Sequence, residues 1–229
     1  MGAPKREEYL EILRILFTPE EAELAVHLPF MPQRASEIAE TLGRPMEEIV
    51  RLCEQMADKT LVYAYTSRGG EKLYMLFPTA PGLFEFPFMK NSITPGSLPG
   101  IDFEHLGKLW WQYHEDGWGL EMGGSPTPAA RVIPVGQAIT PTLHVFPYEE
   151  VAHYVQTAKY VAISDCPCRV TQKKCDAPVD VCMVFGNGAK YLVERGGARL
   201  VTAEEAMKVL QRAEDAGLVH CASNTRDKV

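Results

Sequence analysis

The sequence predicts an α+β protein with two structured parts and a connector between them. Three observations lead to this prediction. The first part combines apolar residues at helical spacing with two short strand-like runs. The middle of the chain is rich in Pro and Gly. The last part has a buried-strand pattern, and four cysteines follow it within seventeen positions. We place the three regions at residues 1–88, 89–147 and 148–229.

Residues 1–88 are predicted to form helices that end in a β-hairpin. Thr18 precedes Pro19, and Glu21 follows at the third helical position, which is typical of a capped helix start. Gly43 separates two helices. Helices are predicted over 9–16, 18–28, 35–42 and 45–59, and strands over 61–65 and 72–77. This order of elements is typical of a winged helix-turn-helix domain.

Residues 89–147 are predicted to be an ordered connector that packs against both neighbouring parts. Phe103, Leu106 and Leu109 have the spacing of one amphipathic helix. Aromatic residues are concentrated in and after this helix, at Trp110, Trp111, Tyr113 and Trp118. Clustered aromatic residues are able to anchor a partner protein. We expect these four to lie in the core instead.

Residues 148–229 are predicted to form a small α/β domain. A helix over 149–156 precedes a buried strand over 160–163. A short helix is expected over 189–195. Thr202 and Glu205 form a capping-box pattern that opens a further helix, and Gly217 stands where that helix ends. A strand-like run over 218–221 follows.

The charge balance narrows the classes of partner. The formal net charge is −7 and the pI is about 5.4, whereas general nucleic-acid and membrane-surface binders need a basic face. The N-terminus lacks the apolar segment of a secretory signal, and no apolar run reaches the length of a membrane span. We therefore expect a soluble, cytoplasmic protein.

DNA binding through the winged helix is disfavoured by the charges of its second helix. Residues 46–59 carry four acidic side chains against Arg51 and Lys59. Neutralisation of phosphate charge dominates DNA affinity, so an acidic recognition helix repels the backbone. A docking or homodimerising role of this domain is the expected alternative.

The chemistry of the chain is concentrated in the cysteines at Cys166, Cys168, Cys175 and Cys182. Their spacing is C-x-C, six residues, C, six residues, C. Structural disulfides are rare in the cytoplasm, so clustered cysteines there more often bind metal or do redox work. One C-x-C and two isolated cysteines do not make the paired knuckles of structural zinc sites. We therefore expect a 4Fe–4S cluster, with zinc as the alternative.

Other residues around this motif are weaker candidates for a role at the metal site. Cations at Arg169, Lys173, Lys174 and Lys190 would favour a reduced cluster and raise its potential, unless they are ordinary solvated side chains. Cys53 lies on the apolar side of its helix and is predicted to be a core residue. Cys221 is an alternative ligand, although a packed thiol is the favoured interpretation.

These residues resemble a known family. Cys166-Pro167-Cys168-Arg169, Cys175, Pro178, 182–186, 217–220 and Ser223-Asn224 are similar to segments of 4Fe–4S ferredoxin-domain proteins of anaerobes. Those proteins have a winged-helix-like N-terminal part and a C-x-C-[RK] cysteine region. In the family, further cysteines and a ferredoxin module follow the last of these segments. The present sequence ends at Val229 without them.

The resemblance implies an electron carrier or redox subunit rather than a catalyst acting alone. Cys166, Cys168, Cys175 and Cys182 would hold one 4Fe–4S cluster, and the partner would be a redox protein or an oxidoreductase complex. Two alternatives remain open at this stage. One is a regulator in which the cluster state controls the winged helix, and the other is an interaction protein stabilised by zinc.

Overall fold

The structure, a computed structural model, describes residues 4–124, 126, 129–132 and 151–223. Within these residues the fold is a mixture of helices and three small antiparallel sheets, compatible with the predicted α+β class. None of the described helices is both long and apolar enough to cross a membrane. Predictions that concern 133–150, where the connector ends and the C-terminal part begins, lie outside the described residues, as does Asn224.

The N-terminal region follows the predicted order of elements. It contains α1 (Glu7–Leu16), α2 (Pro19–Ala25), β1 (Gln33–Arg34), α3 (Ala35–Leu42), α4 (Met46–Asp58), β2 (Val62–Thr66) and β3 (Lys72–Leu76). Thr18 and Glu21 form the expected capping box. Gly43 ends α3 in the left-handed conformation. The three strands are antiparallel in the order β1–β3–β2. The two-residue β1 was not predicted, because it is too short to show a periodic pattern.

The middle region contains more regular structure than its composition indicates. It begins within α5 (Glu85–Ile93), a helix that crosses the predicted boundary at 88, and it also holds α6 (Phe103–Tyr113), α7 (Gly119–Gly123) and β4 (Ala130–Val132). The prediction missed α5, which contains a proline at Pro87. Gly82, just before α5, approaches Phe77 so closely that an added Cβ would lie 2.8 Å from the Phe77 Cβ.

The aromatic residues of the middle region mostly lie in the core, as predicted. Trp110, Tyr113 and Trp118 are buried, whereas Trp111 is only partly buried. The helices carry this region against both neighbours, since α6 packs on α1 and α5 packs on the C-terminal part.

The C-terminal region begins with α8 (Val151–Thr157), β5 (Val161–Ser164), α9 (Pro167–Gln172) and β6 (Cys182–Phe185). It continues with α10 (Gly186–Glu194), β7 (Arg199–Val201), α11 (Ala203–Asp215) and β8 (Cys221–Ser223). One sheet has the order β6–β5–β7, and β4 pairs with β8.

Two predicted boundaries in this region were wrong. The helix α10 begins at Gly186 rather than at the predicted residue 189. The positive φ of Gly186 lets the chain turn directly out of β6 into this helix. The final strand is formed by 221–223 rather than 218–221, since it pairs with β4 at 130–132.

A shared core joins the N-terminal and C-terminal regions. One hydrophobic cluster contains side chains of α1, α4 and β2 together with side chains of α6 and α10. The buried Tyr191 of α10 donates a hydrogen bond to the carbonyl oxygen of Val62 (2.7 Å), and its hydroxyl also lies 3.2 Å from the Ala57 carbonyl oxygen. Arg195 follows α10 and pairs with Glu54 (2.7 Å) and Asp58 (2.5 Å).

Replacing Tyr191 with Phe tests the junction between these two regions. The substitution removes a donor and leaves a buried carbonyl group without its partner, so the free energy of unfolding should fall by about 1 to 2 kcal/mol. Urea unfolding measures this loss. Tyr65→Phe is the matched control, because Tyr65 is 39% exposed and should change stability little. Equal effects of the two substitutions would contradict the proposed role of Tyr191.

Candidate functional site

The pairing of β5 and β6 places two of the four cysteines at one end of a sheet. In this antiparallel register Ser164, the last residue of β5, faces Cys182, the first residue of β6. The chain beyond Ser164 stays close to the incoming segment, since the Cys166 backbone N–H donates to the Val179 carbonyl oxygen at 2.7 Å. Cys166 and Cys182 therefore lie at the same end of the sheet, where β5 ends and β6 begins.

The short helix α9 brings Cys168 next to Cys166. Cys166 is the N-cap, and Pro167 at the first helical position is already fixed in a helical φ. The Cys166 carbonyl oxygen accepts hydrogen bonds from the backbone N–H groups of Arg169 (3.1 Å) and Val170 (3.0 Å). This turn brings the two thiol groups close enough for each to influence the ionisation of the other.

The contact between these two thiols separates their ionisation. The hydrogen bond from Cys168, supported by the backbone N–H and the charge of Arg169, lowers the pKa of the Cys166 thiol to about 6. The same hydrogen bond raises the pKa of Cys168 well above its ordinary value. Of these two thiols, Cys166 is therefore the one that favours the thiolate form.

Cys182 and Glu85 form the inner side of the site. Burial, together with the nearby charges of Cys166 and Glu85, raises the pKa of Cys182 to about 12. Burial also raises the pKa of Glu85 to about 7, although its carboxylate accepts a hydrogen bond from the Gly82 N–H at 2.7 Å. Glu85 interacts electrostatically with both Cys168 and Cys182. This carboxyl group is therefore part of the same environment.

Cys175 is connected to the site through Arg169. The Arg169 guanidinium lies 3.8 Å from the Cys175 sulfur, and it donates to the Pro178 carbonyl oxygen at 3.4 Å. Cys175 itself is exposed. The arginine that follows the C-x-C motif thus holds the loop that carries the third cysteine.

The four thiols do not form a ready-made ligand set. Among the residues that the structure describes, no group of three or more His, Cys, Asp or Glu side chains is arranged so that it could hold a metal ion. The structure brings Cys166, Cys168 and Cys182 into electrostatic range of one another. Cys175 is apart from these three and contacts the guanidinium of Arg169. All six cysteines are free thiols.

The other residues named from the sequence lie elsewhere. Cys53 is buried in the core, as predicted. The expectation of a packed thiol at Cys221 was wrong: Cys221 is exposed, because it lies on the narrow β4–β8 pair. Lys190 pairs with Glu194 at 3.6 Å on the surface of α10.

Two side-chain hydrogen bonds connect the middle region to the cysteine segment, residues 165–182. Ser92 of α5 donates a hydrogen bond to Asp165, the residue before Cys166. The Trp111 Nε1–H donates to the Thr171 hydroxyl of α9 at 3.0 Å. Sequence reasoning missed this bracing and also missed Glu85. A signal for Glu85 does exist, because it is a single carboxylate between large apolar residues at 83–89.

The buried carboxyl of Glu85 predicts a characteristic dependence of stability on pH. Its pKa is about 7 in the folded protein and 4.5 ordinarily, so the folded state holds this proton more tightly. Its contribution to stability is therefore complete below pH 4.5 and is lost as pH rises through about 7. Glu85→Gln keeps an acceptor for Gly82 but cannot ionise.

Unfolding in urea at about pH 5 and about pH 8 measures this effect; the wild type should lose about 1 to 3 kcal/mol more than Glu85→Gln over that interval. The exposed Glu40 is the matched control, and Glu40→Gln should keep the wild-type dependence. If Glu85→Gln and the wild type lose the same stability, Glu85 is not the titrating group.

Comparisons with known proteins identify no relative of this chain. No protein-family model, curated protein or solved structure matches the chain. The resemblance to 4Fe–4S ferredoxin-domain proteins therefore stays a prediction from the sequence.

Proposed function

We propose that the chain binds one 4Fe–4S cluster through Cys166, Cys168, Cys175 and Cys182 and serves as a one-electron carrier or redox subunit. The observation that carries this proposal is the electrostatic proximity of three thiols, those of Cys166 and Cys168 at the start of α9 and that of Cys182 at the start of β6. The fourth thiol lies on a loop held by Arg169, a neighbour of Cys168 in the chain. A cytoplasmic location is part of the proposal.

The donor set fits such a group chemically. Soft thiolates are the ligands of iron–sulfur clusters and also of zinc. Three thiols within electrostatic range cannot all ionise without a partner of opposite charge, as the raised pKa values of Cys168 and Cys182 illustrate. Because Cys175 stands apart and exposed, we infer that its loop moves toward the other three thiols when the site is loaded.

The residues around the thiols have distinct roles in this proposal. Cys166, with its pKa of about 6, supplies the first thiolate near neutral pH. Arg169 provides positive charge next to the ligands, which favours the more negative, reduced state. Glu85 adds a buried carboxyl that opposes further negative charge when it is ionised. When bound, a 4Fe–4S cluster supplies the one-electron chemistry.

The N-terminal region is part of the proposal as a winged helix that docks proteins. Support comes from the order α2–β1–α3–α4–β2–β3 and from the antiparallel β1–β3–β2 sheet. In a DNA-binding winged helix, the second helix of the helix-turn-helix pair faces the DNA, and here that helix is α4. Here Glu54 and Asp58 of α4 pair with Arg195 of the same chain. This contact and the acidic character of α4 favour protein contacts over DNA.

Anaerobic reconstitution with iron and sulfide tests the proposal. We expect about four iron and four sulfide per chain, and a brown colour that bleaches on reduction with dithionite. Colourless protein that holds one zinc per chain would instead favour the zinc-stabilised interaction protein. Protein that retains neither iron nor zinc would refute metal binding at this site.

Single-cysteine variants identify the ligands. Cys175→Ala should lose most of the bound iron, because three thiolates leave one iron of the cluster without a protein ligand. The matched control is Cys221→Ala, since Cys221 is equally exposed but lies on the β4–β8 pair. It should load like the wild type. Unchanged iron in Cys175→Ala would remove Cys175 from the ligand set.

A further inference from the structure

A groove of about 710 Å³ lies between α5, α6 and α9, next to the cysteine segment. Its size is within the range of small-molecule sites. One wall consists of residues 170–174, which are the C-terminal half of α9 and the two residues after it, and this wall begins two residues after Cys168. At a helical rise of 1.5 Å per residue, the Cα atoms of Cys168 and Gln172 are about 6 Å apart along the helix axis.

Fixed aromatic rings form the apolar part of this groove. Phe103 and Trp111 line it and are only partly buried. The Trp111 indole is held by its hydrogen bond to Thr171 at 3.0 Å, and its ring meets Phe84 edge to face at 6.3 Å. Phe103 packs edge to face on Phe88 at 5.3 Å. Rings held in this way offer a flat ligand a surface that is already ordered.

Polar side chains without partners line the other side. Within the described part of the chain, Asn91, Gln172, Lys173 and Lys174 form no side-chain hydrogen bond or ion pair, yet all four line the groove. Lys108 is different, because it pairs with Glu104 at 2.9 Å. Lys173 is the C-cap of α9 and adopts the left-handed conformation (φ 50°) with which many helices end.

The charges of the groove favour an anion. Three lysines and two glutamates line it. Glu104 pairs with Lys108 at 2.9 Å and also lies within electrostatic range of Lys173, so the lysines outnumber the glutamates by one. A phosphate group would give Lys173 and Lys174, which form no ion pair within 4 Å in the described part of the chain, a partner of opposite charge, while the flat ring of the ligand would cover Phe103 and Trp111.

The geometry points to a binding site for a planar aromatic molecule that carries a phosphate group. Its ring lies against Phe103 and Trp111, and its phosphate contacts Lys173 and Lys174. Asn91 and Gln172 supply hydrogen-bonding groups between them. This site does not depend on the proposed cluster, because none of the six residues is a cysteine ligand.

Calorimetric titration of the metal-free full chain with riboflavin 5′-phosphate tests the site, with riboflavin as the matched probe that lacks the phosphate. We expect riboflavin to bind about tenfold more weakly. The double variant Lys173→Gln/Lys174→Gln should weaken binding of the phosphate probe about tenfold and leave riboflavin binding unchanged. Lys190→Gln/Lys208→Gln, on surface lysines outside the groove, is the control and should bind both probes like the wild type.

Three results would overturn the proposal. They are equal affinity for the two probes, unchanged affinity in the groove variant, and no heat of binding from the phosphate probe up to about 1 mM, the weak limit for a specific site. Both lysines are exposed, so the groove variant should fold, and circular dichroism checks this. Because the titration uses metal-free protein, its outcome is independent of iron loading.

Discussion

The antiparallel pairing of β5 with β6 is the constraint on which the proposed site depends. It sets Ser164 opposite Cys182, so the chain that leaves β5 and the chain that enters β6 run side by side where the cysteines lie. The Cys166–Val179 hydrogen bond continues this pairing beyond the strands. A shift of one residue would turn Cys182 to the other face of the sheet. This register keeps Cys166, Cys168 and Cys182 within electrostatic range of one another.

The second constraint is the attachment of this sheet to the rest of the molecule. Tyr191 and Arg195 connect α10 to the N-terminal region, and α5 and α6 hold α9 through Ser92 and Trp111. The cysteine segment is thus held on two sides, although Cys168 and Cys175 are exposed.

The sequence predicted those features that rest on local chemistry. The capping box at Thr18, the stop at Gly43 and the buried β5 follow from residue types at fixed spacing. The prediction missed β6 because its four residues, Cys182–Phe185, are all half-buried and show no alternation. It missed Glu85 as a neighbour of the thiols because that contact depends on how distant segments pack, whereas Arg169 could be named from its place directly after Cys168. Spacing identified the cysteines, but only the register shows which of them meet.

Native mass spectrometry of the anaerobically reconstituted protein tests the central claim most directly, because it weighs the inorganic content of single chains. The account predicts one added Fe₄S₄ unit per chain, absent when Cys166, Cys168, Cys175 and Cys182 are all replaced by Ala. A chain that carries one zinc ion, two disulfide bonds or no added mass would contradict the claim that these four sulfurs share one iron–sulfur centre.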